Sequence, residues 1–189
     1  DSAVAFGNSE YGIAYAREGH IHVAFFYASG HFISRYQVSE GPATHSRPAI
    51  AYEGTNNLFV VAYEWDYGEG DVDIYARAVS SSSGKVGSEE NLVNFSTDYE
   101  ANPDLDCNHD DTSCLVVFEF KEDETTRYIQ GRFVNVTGTG VTPIGVNPFR
   151  VSSTDNKVNP HVAWGWNNGR YMVVYHAGAS VEADVTAYT

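Results

Sequence analysis

Hydrophobic residues along the chain come in short runs, and loops of Gly, Asn, Asp and Ser separate these runs. Between Arg47 and Ser80, three such runs, AIAY, LFVVAY and DIYARAV, follow one another closely. Runs of β-branched and aromatic residues between turn-forming loops predict strands, and no segment sustains the 3.6-residue stripe of an amphipathic helix for three turns. The pattern predicts an all-β chain, with strands in this region at residues 49–53, 58–65, 72–80 and about 89–94.

The second strand of this group is apolar at successive positions rather than at alternate ones. It is written LFVVAYEW here, and the related stretches CLVVFEF and YMVVYHA occur later in the chain. A strand with one face in water alternates apolar and polar residues, so a continuous apolar run indicates a strand that is covered on both faces.

The same phrase recurs along the chain. Segments that start at Pro48, Pro103 and Pro160 share a short strand, a polar loop and an apolar strand, and a fourth copy without the proline starts at Ser2. The prolines are 55 and 57 residues apart. A four-stranded antiparallel unit that repeats at about 50 residues is typical of a β-propeller blade. A β-sandwich is the alternative, because it also uses short strands at regular spacing.

Small residues in the first strand of the copies support the propeller, because innermost strands crowd around the axis. The middle position of this strand is Ala5, Ala51, Asp106 and Ala163 in the four copies. We expect a single β-propeller domain over residues 1–189, built from four roughly 50-residue, four-stranded blade repeats at residues 2–47, 48–102, 103–159 and 160–189.

The fourth repeat has only 30 residues, which leaves room for three strands, so the last blade is expected to lack its outer strand. An unpaired strand edge templates pairing with another chain. We therefore expect self-association, or another chain that completes the last blade beside DVTAYT at residues 184–189. The start, DSAVAFGN, has no initiator Met or signal segment and is typical of a processed or trimmed terminus.

These motifs resemble a known group of repeats. The order Pro-x-hydrophobic-Ala-Tyr, then Phe-Val-Val-x-Tyr-Glu, then Asp-Ile-Tyr-Ala-Arg, best matched in residues 48–80, resembles a family of secreted bacterial and archaeal β-propeller repeats. The resemblance implies a propeller architecture and a non-catalytic extracellular or surface module. The sialidase-type Asp box, Ser-x-Asp-x-Gly-x-Thr-Trp, is absent from the sequence, which argues against that subfamily.

Charge excludes some partners. The chain carries 25 acidic against 11 basic residues, a formal net charge of −14. Nucleic-acid binding needs clustered Lys and Arg, so we expect no nucleic-acid partner. No apolar run is long enough to cross a bilayer, so no membrane span is expected.

Two cysteines and two sequons bear on the compartment. Cys107 and Cys114 flank a polar loop, and we expect a disulfide that closes a hairpin, with two free thiols as the alternative. Two thiols are too few for a structural zinc site. Asn94 and Asn135 each begin a glycosylation sequon, and Asn135 is expected in an exposed turn after a strand. With the acidic composition, these features indicate a secreted or cell-surface glycoprotein.

The densest acidic cluster lies in DYGEGDVD. Oxygen ligands on a Gly-rich turn suit Ca²⁺, so the candidate calcium ligands are Asp66, Glu69, Asp71 and Asp73. The spacing departs from the EF-hand loop, and a solvated hairpin tip is the alternative. No other cofactor is expected.

Two carboxylates are candidates for catalysis. Asp104 and Asp106 flank Leu105 on an innermost strand, so both side chains lie on one face. Glycosidases place an acid and a second carboxylate across the scissile bond. No partner carboxylate is apparent on another inner strand, so catalysis is not the favoured interpretation.

Aromatic residues beside amides and acids are candidates for sugar binding. EWDYG offers Trp65 and Tyr67, and WGWNNGR offers Trp166 and Asn167. These aromatics do not recur at equivalent positions of the repeats, as blade-by-blade lectin sites require. We therefore expect a non-catalytic extracellular module for structural assembly or adhesion, and not an enzyme. A carbohydrate-binding propeller and a propeller glycoside hydrolase are the second and third interpretations.

Overall fold

The fold is all-β in the computed structural model. The structure describes residues 1–93, 99–123, 126–152, 156–167 and 169–177, and the backbone of residues 180–184. Nowhere in these ranges is there a helix that could cross a membrane.

Sixteen strands group into four consecutive units. Unit 1 contains β1 (Ser2–Gly7), β2 (Glu10–Arg17), β3 (His20–Tyr27) and β4 (Phe32–Gln37). Unit 2 contains β5 (Thr44–Glu53), β6 (Leu58–Gly68), β7 (Asp71–Ser80) and β8 (Gly84–Asn91). Unit 3 contains β9 (Tyr99–Cys107), β10 (Ser113–Lys121), β11 (Arg127–Thr137), β12 (Gly140–Pro143) and β13 (Phe149–Arg150). Unit 4 contains β14 (Lys157–Gly165), β15 (Arg170–Ala177) and β16 (Ser180–Asp184).

Each unit is an antiparallel meander, and a single parallel pair, Val72 with Tyr99, links units 2 and 3. The fourth strand of unit 2 was predicted at about 89–94, and the structure places it at Gly84–Asn91. The prediction was wrong because the SSSG segment reverses the chain directly after β7, so pairing resumes at Gly84 opposite Ser80. In unit 3, two short strands share the outer position, since β12 and β13 pair with different parts of β11.

The second strands of units 2 and 3 are buried on both faces, as their continuous apolar runs predict. In β6, Phe59, Val61 and Tyr63 belong to a core shared with unit 1. The alternate residues, Leu58, Val60 and Ala62, belong to a core shared with unit 3. A third core lies between units 3 and 4. The units therefore stack face to face, with three apolar layers between them.

The outer faces of the stack differ from the inner ones. On unit 1, Val4 is 63% exposed and Phe6 is 55% exposed. On unit 4, Met172 is 47% exposed. Among the described strands, no hydrogen-bonded ladder joins unit 4 to unit 1. The architecture is thus propeller-like. The predicted completion of the last blade beside residues 185–189 falls outside the described residues and stays a prediction.

The repeated prolines mark a bulge in three innermost strands. The pairing register shifts at Arg47–Pro48 in β5, Asn102–Pro103 in β9 and Asn159–Pro160 in β14. Proline has no N–H to give to a ladder, so within a sheet it is confined to edges and bulges. The residue before each proline has left-handed backbone, with φ of 46°, 52° and 52° respectively. Asparagine tolerates this conformation better than most residues, which accounts for its use at two of the three bulges.

The two cysteines form the predicted disulfide. Cys107 and Cys114 are bonded to each other, and they are directly opposed in the β9–β10 pair. Both are fully buried in the core between units 2 and 3. The disulfide closes the hairpin whose loop, residues 108–112, reaches toward unit 4.

Candidate functional site

Residues near the start of each of the four innermost strands converge on one opening, which we call the axial mouth. Its cavity of about 290 Å³ is lined by Asp1, Ser2, Arg47, Pro48, Asn102, Pro103, Asn159, Pro160 and His161. The three bulges described above therefore point their pre-proline residues at a common centre. This is the place where all four units contribute side chains, and it is polar.

Two buried glutamates hold the bulges in place. Glu64 on β6 accepts a hydrogen bond from the backbone N–H of Asn102 at 2.8 Å, in the next unit. Glu119 on β10 repeats the contact with the backbone N–H of Asn159 at 2.7 Å. The bulge removes these N–H groups from the ladder, and an unsatisfied buried N–H is costly. Each carboxylate thus fixes the position of the next unit at the mouth.

Arg47 contributes a guanidinium group to the lining of the axial mouth. Its Nη1 donates to Asn102 Oδ1 and lies 3.3 Å from Glu64 Oε1. The Arg47 side chain is nevertheless partly open to solvent. A guanidinium held this way keeps further N–H groups for a ligand hydroxyl or carboxylate, because Arg carries five donors.

Asp104 lies beside the mouth. Its Oδ2 accepts hydrogen bonds from the backbone N–H of Val162 at 2.9 Å and, at 3.3 Å, contacts Nδ1 of His161. The Asp104 side chain is 28% exposed. Burial raises the pKa of Asp104 above its usual value, against the lowering effect of the Val162 and His161 contacts. A carboxyl group with a raised pKa is a better proton donor near neutral pH.

Asp106 has a different place. Its Oδ2 accepts from the backbone N–H of Trp164 at 2.7 Å, and its Oδ1 accepts from the N–H of Cys107 at 2.9 Å. Both oxygens are therefore engaged, Oδ2 in joining β9 to β14 and Oδ1 within β9 itself. Asp104 and Asp106 share a face, as predicted, and this face is turned to unit 4. Asp104 contacts His161, which lines the mouth, whereas Asp106 contacts Trp164, which does not. A carboxylate in the lining itself is that of Asp1, which directly precedes β1.

The aromatic candidates are split between two distant units. Trp65 and Tyr67 on β6 stack at 5.7 Å, and Trp65 also packs on Tyr75 at 4.6 Å. Trp166 and Asn167 lie in the turn between β14 and β15 of unit 4. The structure does not bring the two pairs together, and neither pair lines the axial mouth.

The acidic cluster of unit 2 is a hairpin tip. Asp66 Oδ1 accepts from the N–H of Gly68 at 2.7 Å, and Glu69 has left-handed backbone in the turn, while Asp71 begins β7. Asp73 is buried and its Oδ2 accepts from Asn91 Nδ2 at 2.6 Å. Within the described ranges, no three His, Cys, Asp or Glu side chains are placed to hold a metal ion. The calcium site stays a prediction that this geometry does not support.

Of the two sequons, Asn94 lies outside the described residues. Asn135 was expected in an exposed turn, and this placement is wrong: it lies inside β11, opposite Ser113 and Thr142. Its Oδ1 also accepts a hydrogen bond from Thr112 Oγ1. The error arose because β11 continues to Thr137, beyond the apolar run that marked its end.

Sequence reasoning missed the groups that build the mouth. Arg47, Glu64 and Glu119 were not singled out, although a signal was present. A Glu follows the apolar run of the second strand in both unit 2 and unit 3. A polar residue followed by proline, Arg-Pro once and Asn-Pro twice, recurs in three copies. A charged residue at a repeated position next to a buried strand indicates a contact between repeats.

The fold is similar to that of a solved sialidase, and two further solved structures align less well. A Hadza microbial sialidase aligns with 98% of this chain at a TM-score of 0.70 and 12% identity, and the chain spans 43% of that protein's length. An α-L-arabinofuranosidase of Clostridium thermocellum aligns with a TM-score of 0.49 at 14% identity, over 93% of this chain and 60% of its own. An endo-arabinanase of Bacillus licheniformis aligns with a TM-score of 0.35 at 10% identity, over 100% of this chain and 93% of its own. No family model and no curated protein matches the sequence.

These likenesses contradict two expectations from the sequence. The chain was expected to be a non-catalytic assembly or adhesion module and not an enzyme, whereas the solved structure that shares its fold at a TM-score of 0.70 is a sialidase. At this identity the likeness shows an all-β, propeller-like fold, and the resemblance to secreted propeller repeats stays a prediction.

Proposed function

We propose that the protein is a glycoside hydrolase of the propeller type, which binds a glycan at the axial mouth and cleaves its glycosidic bond there. The observation that carries the proposal is the position of Asp104. It is a half-buried carboxyl beside His161 at the mouth, and burial raises its pKa. The four units are then consecutive blades around one axis, and the disulfide fits a secreted enzyme.

In this proposal Asp104 is the general acid. It donates its proton to the glycosidic oxygen as the bond to the anomeric carbon breaks, and burial, which raises the pKa of Asp104, favours the protonated form that this step needs. His161 lies at 3.3 Å from Asp104 Oδ2 and would orient the carboxyl. Asp1, which lines the mouth, is the second carboxylate of the proposal: it takes the proton of the water that attacks the anomeric carbon as the glycosidic bond breaks.

The remaining mouth residues would bind the sugar. Arg47 and Asn102 are tied to each other and to Glu64, so their donors are held in place before the substrate arrives. Preorganised donors cost little when the transition state forms. The sialidase likeness supports the proposal through the fold alone.

The test is hydrolysis of a panel of nitrophenyl and methylumbelliferyl glycosides by the full-length protein. We expect release of the chromophore from at least one glycoside. In the Asp104→Asn variant, kcat should fall by about 100-fold or more, the usual contribution of a general acid. Asp1→Asn should lower kcat by a comparable factor.

Asp106→Asn is the matched control, because Asp106 is on the same strand and face but is engaged with Trp164 and Cys107. A folded Asp106→Asn variant should keep most of the activity. Failure of the wild type on the whole panel, or equal losses in Asp104→Asn and Asp106→Asn, would contradict the proposal.

A further inference from the structure

A second cavity lies between units 3 and 4, at the far end of the innermost strands from the axial mouth. Its volume is about 530 Å³, within the range of small-molecule sites. The mouth is lined by Asn102 and the second cavity by Asn108, six residues further along the chain. At about 3.3 Å per residue, the two sites are roughly 20 Å apart. The proposed reaction does not use this cavity.

Connected aromatic rings form one wall of the cavity. Trp164 meets Tyr171 at 4.7 Å with an interplanar angle of 60°, and Tyr171 meets Phe133 at 5.7 Å. Tyr171 is fixed by the hydrogen bond that its hydroxyl donates to the backbone oxygen of Ser113 at 3.2 Å. The wall is rigid, because its rings belong to the packed core of units 3 and 4.

Trp166 lies next to residues that line this cavity. It lies in the β14–β15 turn between Trp164 and Gly169, which both line the cavity. One face of its ring is stacked on His109 at 4.1 Å and 14°. Even so, Trp166 is 68% exposed. Its ring is therefore supported on one side and open to solvent elsewhere.

Polar groups complete the lining on the opposite side. Asn108, Asp110 and Asp111 come from the loop that the Cys107–Cys114 disulfide closes. Asp110 and Asp111 are exposed acceptors, and their charges repel anions. Trp164 Nε1 is buried and has no hydrogen-bond partner in the part of the chain that the structure describes. Such a donor costs free energy unless a ligand or water accepts from it.

We propose that this cavity is a second, non-catalytic binding site for a neutral sugar unit of a glycan. The positively polarised C–H groups on a sugar face are attracted by the negative face of an aromatic ring, here Trp166 and the Trp164 wall. Sugar hydroxyls donate to Asp110 and Asp111, and one hydroxyl oxygen accepts from Trp164 Nε1. The two carboxylates select against an acidic sugar, so the ligand class is a neutral oligosaccharide. This site would hold a long glycan while its end reaches the mouth.

The chain has three tryptophans, Trp65, Trp164 and Trp166, so its ¹H–¹⁵N spectrum contains three indole signals. The experiment titrates the full-length protein with cellobiose and with lactose, and uses glucuronic acid as the acidic comparison. We expect saturable shifts of the Trp164 and Trp166 signals with a neutral disaccharide. The Trp65 signal is the internal control and should stay in place, because Trp65 lies in unit 2.

Two variants locate the binding. Trp166→Ala should weaken the affinity by about fivefold, which lies within the range of about two- to twelvefold expected for an aromatic contact. Trp166→Phe should recover part of the loss. Asp104→Asn should leave the affinity unchanged, which separates this site from the mouth.

Three results would overturn the proposal. One is the absence of a saturable shift with either disaccharide. Another is an equal response of all three indole signals. The third is an affinity for glucuronic acid as high as that for the neutral sugars.

Discussion

The contact of Glu119 with the bulge of unit 4 makes a stability prediction that can be worked out from the structure. Glu119 is 3% exposed, and its Oε1 accepts from the Asn159 N–H and from Asn102 Nδ2. Oε2 lies 3.7 Å from Arg127 Nη1. One side chain therefore links units 3 and 4 and also ties the bulge of its own unit.

Replacing Glu119 by alanine removes both accepted hydrogen bonds and leaves two donors without partners. Hydrogen bonds to a charged group are each worth about 1.5–3 kcal/mol. We expect Glu119→Ala to lower the free energy of unfolding by about 3–5 kcal/mol. Glu119→Gln keeps one acceptor oxygen and should cost less, about 1–2 kcal/mol.

Urea unfolding measures the loss, and amide hydrogen exchange at Asn159 measures its location. In Glu119→Ala, the Asn159 N–H should exchange faster than amides in units 1 and 2, because the lost bond belongs to that N–H. Glu122→Ala is the control, since Glu122 is exposed on the same unit and should change stability by less than about 0.5 kcal/mol. A loss below about 1 kcal/mol in Glu119→Ala, with Asn159 still protected, would refute the reasoning.

Two further predictions concern packing and pH. Gly7→Ala should lower the free energy of unfolding by about 1–3 kcal/mol, because an added Cβ would lie 2.0 Å from the Tyr52 ring of unit 2. Gly54→Ala is the control: the nearest atom to its added Cβ is at 3.7 Å, so thermal unfolding should be nearly unchanged. Burial raises the pKa of Asp73 from 3.8 to about 6 in the folded protein. As the pH rises, Asp73 ionises in the unfolded chain before it ionises in the folded protein, so the free energy of unfolding should fall by up to about 3 kcal/mol between roughly pH 4 and 6. Asp73→Asn should remove that fall. A variant whose unfolding free energy follows the wild type across this range would contradict the assignment to Asp73.

Much of the fold follows from the periodicity of the sequence. The runs that became β6 and β10 are apolar at successive positions because each strand lies between two cores, and the sequence carries that fact directly. The disulfide was also accessible, because Cys107 and Cys114 flank a short polar loop on a hairpin. Strand ends were harder to predict from the sequence. The strand β8 begins at Gly84 because the preceding turn is tight, and no apolar run marks its start.

The candidate site was harder to predict, because it depends on contacts between repeats. Asp104 and Asp106 have the same residue type and share a strand face, and each accepts a hydrogen bond from a backbone N–H of β14. Their difference is that the residue of β14 beside Asp104 is His161 of the mouth lining and the residue beside Asp106 is Trp164, and this depends on where unit 4 packs, which the sequence of unit 3 does not contain. The repeated prolines were recognised as repeat markers, but their role in placing Arg47, Asn102 and Asn159 at one opening needed the bulge geometry.

The most direct test of the central claim is the leaving-group dependence of hydrolysis by Asp104→Asn. A general acid accelerates hydrolysis most when the leaving group is a poor one, because protonation of the leaving oxygen then lowers the activation barrier more. The loss of kcat in Asp104→Asn should be large for a methylumbelliferyl glycoside and small for the dinitrophenyl glycoside of the same sugar. Equal losses on the two glycosides, or no loss on either, would contradict the assignment of Asp104 as the acid at the axial mouth.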